Sequence, residues 1–363
     1  MNNLPQEIQD KIFLEMEFED LKNTRDLQSH YVEKITQFGN FQDAIKAGNL
    51  ENCKWLRTFQ DFELGNSYIT LAVKCNNLKI LEWLYEEECD DDPSAYIEAA
   101  KTGNLEILKL LHEMSCPRPK SAFMIAAEYA HLEVMKWMKE KNFTRNEAIF
   151  YYAAKNGNLE NMKWMKENNF PINYQTFRAA AENGNLENMK WLHSIGCDWE
   201  SRAFDLAVEN GNIENLIWMK ENGCPIDQHA LIIAVSEQKY EIIIWLLNNV
   251  EHLILDEEIF IVATYSGNLE IFKLLKEFEC PWSSKVTSLS TSKSNSEIFW
   301  WLIENGCPTD KELAAQAAKS DNFKILEWII ENEIDCDLGM IRSELRYCSK
   351  EMIQWLLNNN FVV

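Results

Sequence analysis

No uninterrupted apolar run comes near the roughly 18 residues that mark a membrane span. The densest stretch, Ile242 to Leu247, is six residues long, so no spanning segment and no membrane partner are expected. The opening Met-Asn-Asn-Leu-Pro-Gln-Glu lacks the basic-then-apolar pattern of a secretory signal, which gives the expectation of a soluble, cytoplasmic chain. Basic charge is also scarce. Lys and Arg total 35 against 58 Asp and Glu, a net charge of −23. Affinity for a phosphate backbone comes from clustered Lys and Arg, so a nucleic-acid partner is not expected. The ten cysteines are spread over 363 residues without a Cys-x-x-Cys pair, unlike a disulfide scaffold. Phosphate-loop, zinc-protease and serine-hydrolase motifs (Gly-x-x-x-x-Gly-Lys, His-Glu-x-x-His, Gly-x-Ser-x-Gly) are missing. A hydrophobic fraction of 46% is nevertheless too high for a disordered acidic chain.

What is present is a repeat. Trp137, Trp164, Trp191, Trp218 and Trp245 stand 27 residues apart. Extension in both directions through Trp55, Trp83, Leu110, Leu274, Trp301, Trp328 and Trp355 defines twelve units, covering roughly residues 39–363. Taking the Trp phase as position 0, position −11 is Ala in ten units, from Ala44 to Ala317. Position −14 is bulky and apolar in most, as in Tyr96, Phe123, Phe150, Phe177, Phe204 and Phe260. Position −7 is Gly in six units, position −6 Asn in nine and position −4 Glu in ten. A chain of this length built from such units needs no single central core.

Each phase has a physical reading. In one unit, Tyr174–Asn183 forms a first helix, and Gly184 takes the left-handed conformation that follows a helix C-terminus. Asn185 caps a second helix, and Glu187 lies in its first turn, where the dipole favours an acid. That helix runs to about Ser194, and Leu186, Met189, Trp191 and Leu192 give it the wide apolar arc of a helix packed between neighbours. Small Ala180 lets first helices approach closely. Cys89, Cys116, Cys197, Cys224, Cys280 and Cys307 share position +6 and read as buried, reduced thiols: stacked helices lie about 8–10 Å apart, beyond the roughly 7 Å that a disulfide spans. The tenth unit is degenerate, and its Ser-rich stretch, Ser283 to Ser296, reads either as a local weak point or as a flexible linker.

Helix–turn–helix units with Ala-Ala-x-x-Gly-Asn-Leu-Glu, then x-x-Asn-Gly-Cys-Pro, resemble ankyrin repeats, over about nine-tenths of the chain. His131 stands where such repeats often carry His. The units are shorter than the 33-residue ankyrin repeat, and the Thr-Pro-Leu-His signature is absent. The deficit falls where ankyrins build a hairpin finger. The resemblance is to the short-unit ankyrin proteins abundant in large DNA viruses of amoebae, which places the chain in a host cytoplasm or nucleus. It implies an all-α fold: an ankyrin-like α-solenoid of about twelve helix-turn-helix units with reduced hairpin fingers, plus a short helical N-terminal segment. Residues 1–38 form that segment and residues 39–363 the repeat solenoid.

Within the N-terminal segment, Leu4-Pro5 followed by Ile8, Ile12 and Phe13 resembles the opening of an F-box, although the later basic and Trp-bearing portion is missing. That resemblance implies binding to the Skp adaptor of a cullin-type ubiquitin ligase. The alternative is a helical cap on the first repeat.

No constellation for chemistry emerges. The six histidines are scattered, and the two that share a phase, His112 and His193, lie three units, or about 30 Å, apart, too far to share a metal. The acidic cluster Glu86 to Asp92 lacks the spaced ligands and glycine turn of a calcium loop. No enzyme activity, cofactor or metal is expected, and the chain is expected to be a monomeric protein-interaction module. The ankyrin resemblance implies that the target contacts a concave surface at positions −9 and −8, the last residues of each first helix. These are Lys46, Lys74, Lys101, Tyr129, Lys155, Glu182 and Glu209, a row that is basic early and acidic in the middle. The lysines read as a strip for an acidic partner segment, or else as ordinary solubilising surface. A substrate receptor recruiting the ligase through residues 1–38 is the second functional reading.

Overall fold

A computed structural model of the chain describes residues 41–59 and 64–361. The F-box-like residues Leu4, Pro5, Ile8, Ile12 and Phe13 lie outside the described residues. Among the described residues there are twenty-four α-helices, two 3-10 turns and no strand. The described residues divide into two compact blocks, the first ending at Thr176 and the second beginning at Phe177.

In the first block, five pairs follow one another: α1 (Phe41–Lys46) and α2 (Leu50–Phe59), α3 (Ser67–Lys74) and α4 (Leu78–Glu86), α5 (Ser94–Thr102) and α6 (Leu105–Glu113), α7 (Ala122–Glu128) and α8 (Leu132–Glu140), α9 (Ala148–Asn156) and α10 (Leu159–Glu167). The block boundary falls in α11 (Tyr174–Asn183), which pairs with α12 (Leu186–Ser194). The second block continues with α13 (Ser201–Asn210) and α14 (Ile213–Glu221), α15 (His229–Ser236) and α16 (Tyr240–Asn249), α17 (Glu257–Ser266) and α18 (Leu269–Glu277). It ends with α19 (Ser284–Leu289) and α20 (Ser296–Glu304), α21 (Leu313–Lys319) and α22 (Phe323–Glu331), α23 (Leu338–Glu344) and α24 (Lys350–Asn358). The pairs are the twelve sequence units. Within each block, first helices pack on first helices of the next repeat, as α5 does on α3 and α7, and α17 on α15 and α19. Each block is a helical-repeat solenoid.

The reasons are those of the repeat phases. Gly103, Gly157 and Gly211 end α5, α9 and α13 with φ of 73°, 85° and 91°. Asn104, Asn158 and Asn185 then accept N–H groups from the first turn of the following helix, each cap worth about 1 kcal/mol. A second left-handed position occurs five residues past the Trp phase and is held by Glu88, Ser115, Asn142, Asn169, Gly196 and Gly223, among others. The aromatic residues at position −14, including Tyr96, Phe123, Phe150, Phe177 and Phe204, are fully buried. Burial of each contributes about 2–3 kcal/mol. The alanines at position −11 are buried beside them, which leaves room for the first helices to approach.

Among the described residues no cysteine is in a disulfide, and the six at position +6 are buried. Several of their thiols bond back to a carbonyl 24 residues earlier. Cys89 donates to the Gly65 carbonyl at 3.5 Å, Cys280 to Asp256 at 3.3 Å and Cys307 to Ser283 at 3.5 Å. The Ser-rich tenth repeat is no linker. Ser284–Leu289 is a short packed helix whose buried hydroxyls are bonded: Thr287 to the Pro308 carbonyl at 2.9 Å and Ser288 to Asp310 at 2.8 Å.

Candidate partner-binding surface

Position −9 places a side chain at the C-terminal end of most first helices; Ser292 and Arg346 fall beyond theirs. In the first block, Lys46 and Lys74 are the last residues of α1 and α3, and Lys101 and Lys155 the last but one of α5 and α9. Tyr129, one position later, is the C-cap of α7. All five are exposed. Lysines at helix C-termini complement the dipole, so part of this row serves the helices themselves. The cations also have neighbours: Lys46 lies 3.6 Å from Asp43, Lys74 3.5 Å from Glu98, and Lys101 sits 5.6 Å from the centre of the Tyr129 ring. Such exposed pairs are worth little, typically about 0–1 kcal/mol, and a partner's carboxylate can compete for them.

Beside the row lies an open depression of about 410 Å³ between α1, α3 and α5, lined by Gln42, Thr70, Leu71, Lys74, Asp92 and Glu98 among others. Thr70 donates to Asp92 at 2.6 Å, and the Ser94 backbone N–H donates to it at 2.9 Å. Partial burial works against the Asp92 charge, but these hydrogen bonds and nearby Lys74 hold its carboxyl below the usual range. Farther along, the middle of the same helix face turns apolar. Ile97 on α5, Met124 and Ile125 on α7, and Tyr151 and Tyr152 on α9 are half-buried. The two tyrosine rings meet edge to face at 5.3 Å.

In the second block, Glu182 and Glu209 are exposed near the ends of α11 and α13. Glu209 pairs with Arg202 at 3.0 Å. Asp205, on the same helix, is buried and lies 2.9 Å from His229 Nδ1 and 3.5 Å from Arg202. Tyr265, at position −9 of α17, is 76% exposed.

The structure therefore brings Lys46, Lys74, Lys101, Tyr129 and Lys155 onto one face of the first block and leaves Glu182 and Glu209 in the second. Two features escaped the sequence reading. The apolar residues at position −13 in α5 and at positions −13 and −12 in α7 and α9 are one; the signal was the change from Gln42 and Asp43 in the first repeat to Tyr151 and Tyr152 in the fifth. The other is that some position −8 residues are not available to a partner. Asn156 donates to the Glu128 carbonyl at 2.9 Å, and Asn210 to the Glu182 carbonyl at 3.2 Å. His131 does not cap α8; its Nε2 lies 2.9 Å from the Lys101 carbonyl, one repeat back.

Among the described residues no group of His, Cys, Asp and Glu could hold a metal ion, and no helix is long and apolar enough to cross a membrane. Burial pushes the Cys89 and Cys116 thiols up to about 11, and the Cys224 and Cys280 thiols up to about 12. Such thiols stay protonated and are poor nucleophiles at neutral pH.

The helix pairs, the turn glycines and the capping asparagines together make a repeat that can be compared with known families. Residues 96–176 match the family model of ankyrin repeats, in three copies. The matched ankyrin segment runs from α5 through the start of α11 and contains the apolar face. No curated protein matches the chain. Among solved structures, the pentatricopeptide repeat protein PPR10 in complex with an 18-nt psaJ RNA element is similar at 10% identity and a TM-score of 0.43. The match covers 94% of this chain and 57% of that one. PPR10 from maize gives 10% identity, a TM-score of 0.34, and coverage of 93% and 62%. The chain thus spans about three-fifths of the length of these helical-repeat proteins.

Proposed function

We propose that the protein is a non-catalytic interaction module whose first-helix ends bind a partner protein. The observation that carries this reading is the shared face of Lys46, Lys74, Lys101, Tyr129 and Lys155 in a block that contains the ankyrin-repeat match. In a chain of net charge −23, four exposed lysines at one repeat phase are a local exception. They suit an acidic partner segment, which they attract over roughly a Debye length. Glu182 and Glu209 extend the same phase with the opposite sign. Reversal of the four lysines to glutamate tests the proposal. Loss of partner capture with an unchanged helical signal supports it, and undiminished capture refutes the role of the row.

A second reading rests on Leu4, Pro5, Ile8, Ile12 and Phe13, whose order resembles an F-box opening. In that reading the solenoid holds a substrate while residues 1–38 recruit the Skp adaptor of a cullin-type ubiquitin ligase. A pulldown comparing the full chain with a Leu4/Ile8/Ile12 triple-alanine variant decides it. Adaptor capture by the full chain alone supports ligase recruitment; capture by neither leaves the solenoid as a binding scaffold.

A further inference from the structure

On the face of α5, α7 and α9 an apolar centre lies beside basic helix ends. The centre is mainly apolar: Ile97, Met124, Ile125, Tyr151 and Tyr152 are half-buried, and the one acid among them, Glu98 on α5, is paired with Lys74 at 3.5 Å. The margin, at the helix C-termini, carries exposed Lys101 and Lys155 on either side of half-buried Glu128, with exposed Lys74 on the adjoining α3. The depression at α1 to α5 is by contrast lined mainly by polar groups such as Gln42, Thr70, Asp92 and Glu98. An occupant of the apolar stretch must supply apolar side chains to its centre and negative charge to its margin.

The spacing of the repeats adds a constraint. Packed helices lie about 8–10 Å apart, and an extended chain advances about 3.3 Å per residue. A side chain seated on each successive repeat therefore comes from about every third residue of an extended segment. We infer that α5, α7 and α9 take an extended, acidic protein segment whose bulky apolar side chains recur about three residues apart. This rests on the reading of the first block as a protein-binding surface and narrows it to three repeats and one class of ligand.

The test is selection of a phage-displayed random 12-residue peptide library on the immobilised full chain. The expected result is enrichment of net-negative peptides with large apolar residues at about third-residue spacing. Their binding falls at least tenfold on a Lys101→Glu/Lys155→Glu variant and on Tyr152→Ser, with circular dichroism confirming that both variants are folded. The lysines are exposed, so the charge variant remains informative if Tyr152→Ser does not fold. Enrichment of basic or unpatterned peptides, or acidic ones held equally by the charge variant, overturns this inference while leaving peptide binding intact. No enrichment over the bare support overturns both.

Discussion

Asn161→Val is expected to stabilise the protein. Asn161 lies in α10 at position −3 and is 1% exposed, and its Nδ2 is buried without a hydrogen-bond partner. An unsatisfied buried polar group costs about 1–3 kcal/mol. The same phase is Ile in six other repeats, from Ile80 to Ile325, and Val134 in the preceding one, so the site tolerates a branched apolar side chain. Valine is also close to asparagine in size, which keeps the overpacking penalty small. The net gain is about 1–2 kcal/mol, which raises the melting temperature by roughly 2–4 °C per kcal/mol for a block of this size. Asn215→Val is the internal control. Asn215 shares the phase and is buried, but its Nδ2 donates to the Gly184 carbonyl at 2.8 Å. The control forfeits a bond worth about 0.5–1.5 kcal/mol, and its gain is smaller by about that amount. Thermal and urea unfolding of the full chain, followed by far-ultraviolet circular dichroism, measures both. A destabilised Asn161→Val, or equal shifts for the two variants, would refute the reasoning.

Gly184→Ala should cost more than Gly196→Ala, as read from urea midpoints. Both glycines have positive φ, but a Cβ at Gly184 would clash with the Asn210 side chain, whereas nothing lies within 4 Å at Gly196. The second change carries only the left-handed strain of about 1–2 kcal/mol, and equal losses would show that Asn210 yields freely. The buried thiols make stability fall at high pH. Their folded values of about 11 to 12 lie above the unfolded value near 8.5. The folded state thus holds more protons between those limits, and the stabilisation, complete below about pH 8.5, is lost as pH rises through them. A Cys224→Ala/Cys280→Ala variant should show a shallower decline in urea midpoint from pH 8 to 10.5; parallel declines would count against thiol burial as the cause. Ser288→Ala should destabilise by about 1 kcal/mol, because it strips Asp310 of a buried hydroxyl donor at 2.8 Å. No change in melting temperature would show that Asp310 finds water instead.

The helices themselves were legible because a 27-residue period repeats the same phases. Tyr174–Asn183 and Leu186–Ser194 occur at their expected bounds, with Gly184 and Asn185 in their expected roles. What stayed hidden depends on neighbours. Asn188 stands between Glu187 and Met189 and reads as a surface residue, yet it is 1% exposed; only comparison with Ile at the same phase in other repeats reveals its burial. The bonds of Asn156 and Asn210 at position −8 are not legible, because a sequence does not show that a carbonyl 28 residues earlier lies within reach. The second left-handed turn is announced by Gly196, Gly223 and Gly306 but not by Glu88, Ser115, Glu279 and Glu333 at the same phase, where tertiary packing imposes it. The lysine row was placed at the right ends of the right helices, but its pairing with Asp43, Glu98 and Tyr129 follows from helix spacing rather than from order along the chain.

The side-chain bonds that tie Asn156, Asn210 and His131 to the preceding repeat have a consequence for specificity. They commit those turns to holding the array together, so on the proposed reading a repeat has few words left with which to address a partner: positions −13, −12 and −9. In the fifth repeat these spell Tyr151, Tyr152 and Lys155; in the second, Thr70, Leu71 and Lys74. A change of partner can then be written by altering three letters in one repeat while the grammar of caps, glycines and buried aromatics stays intact.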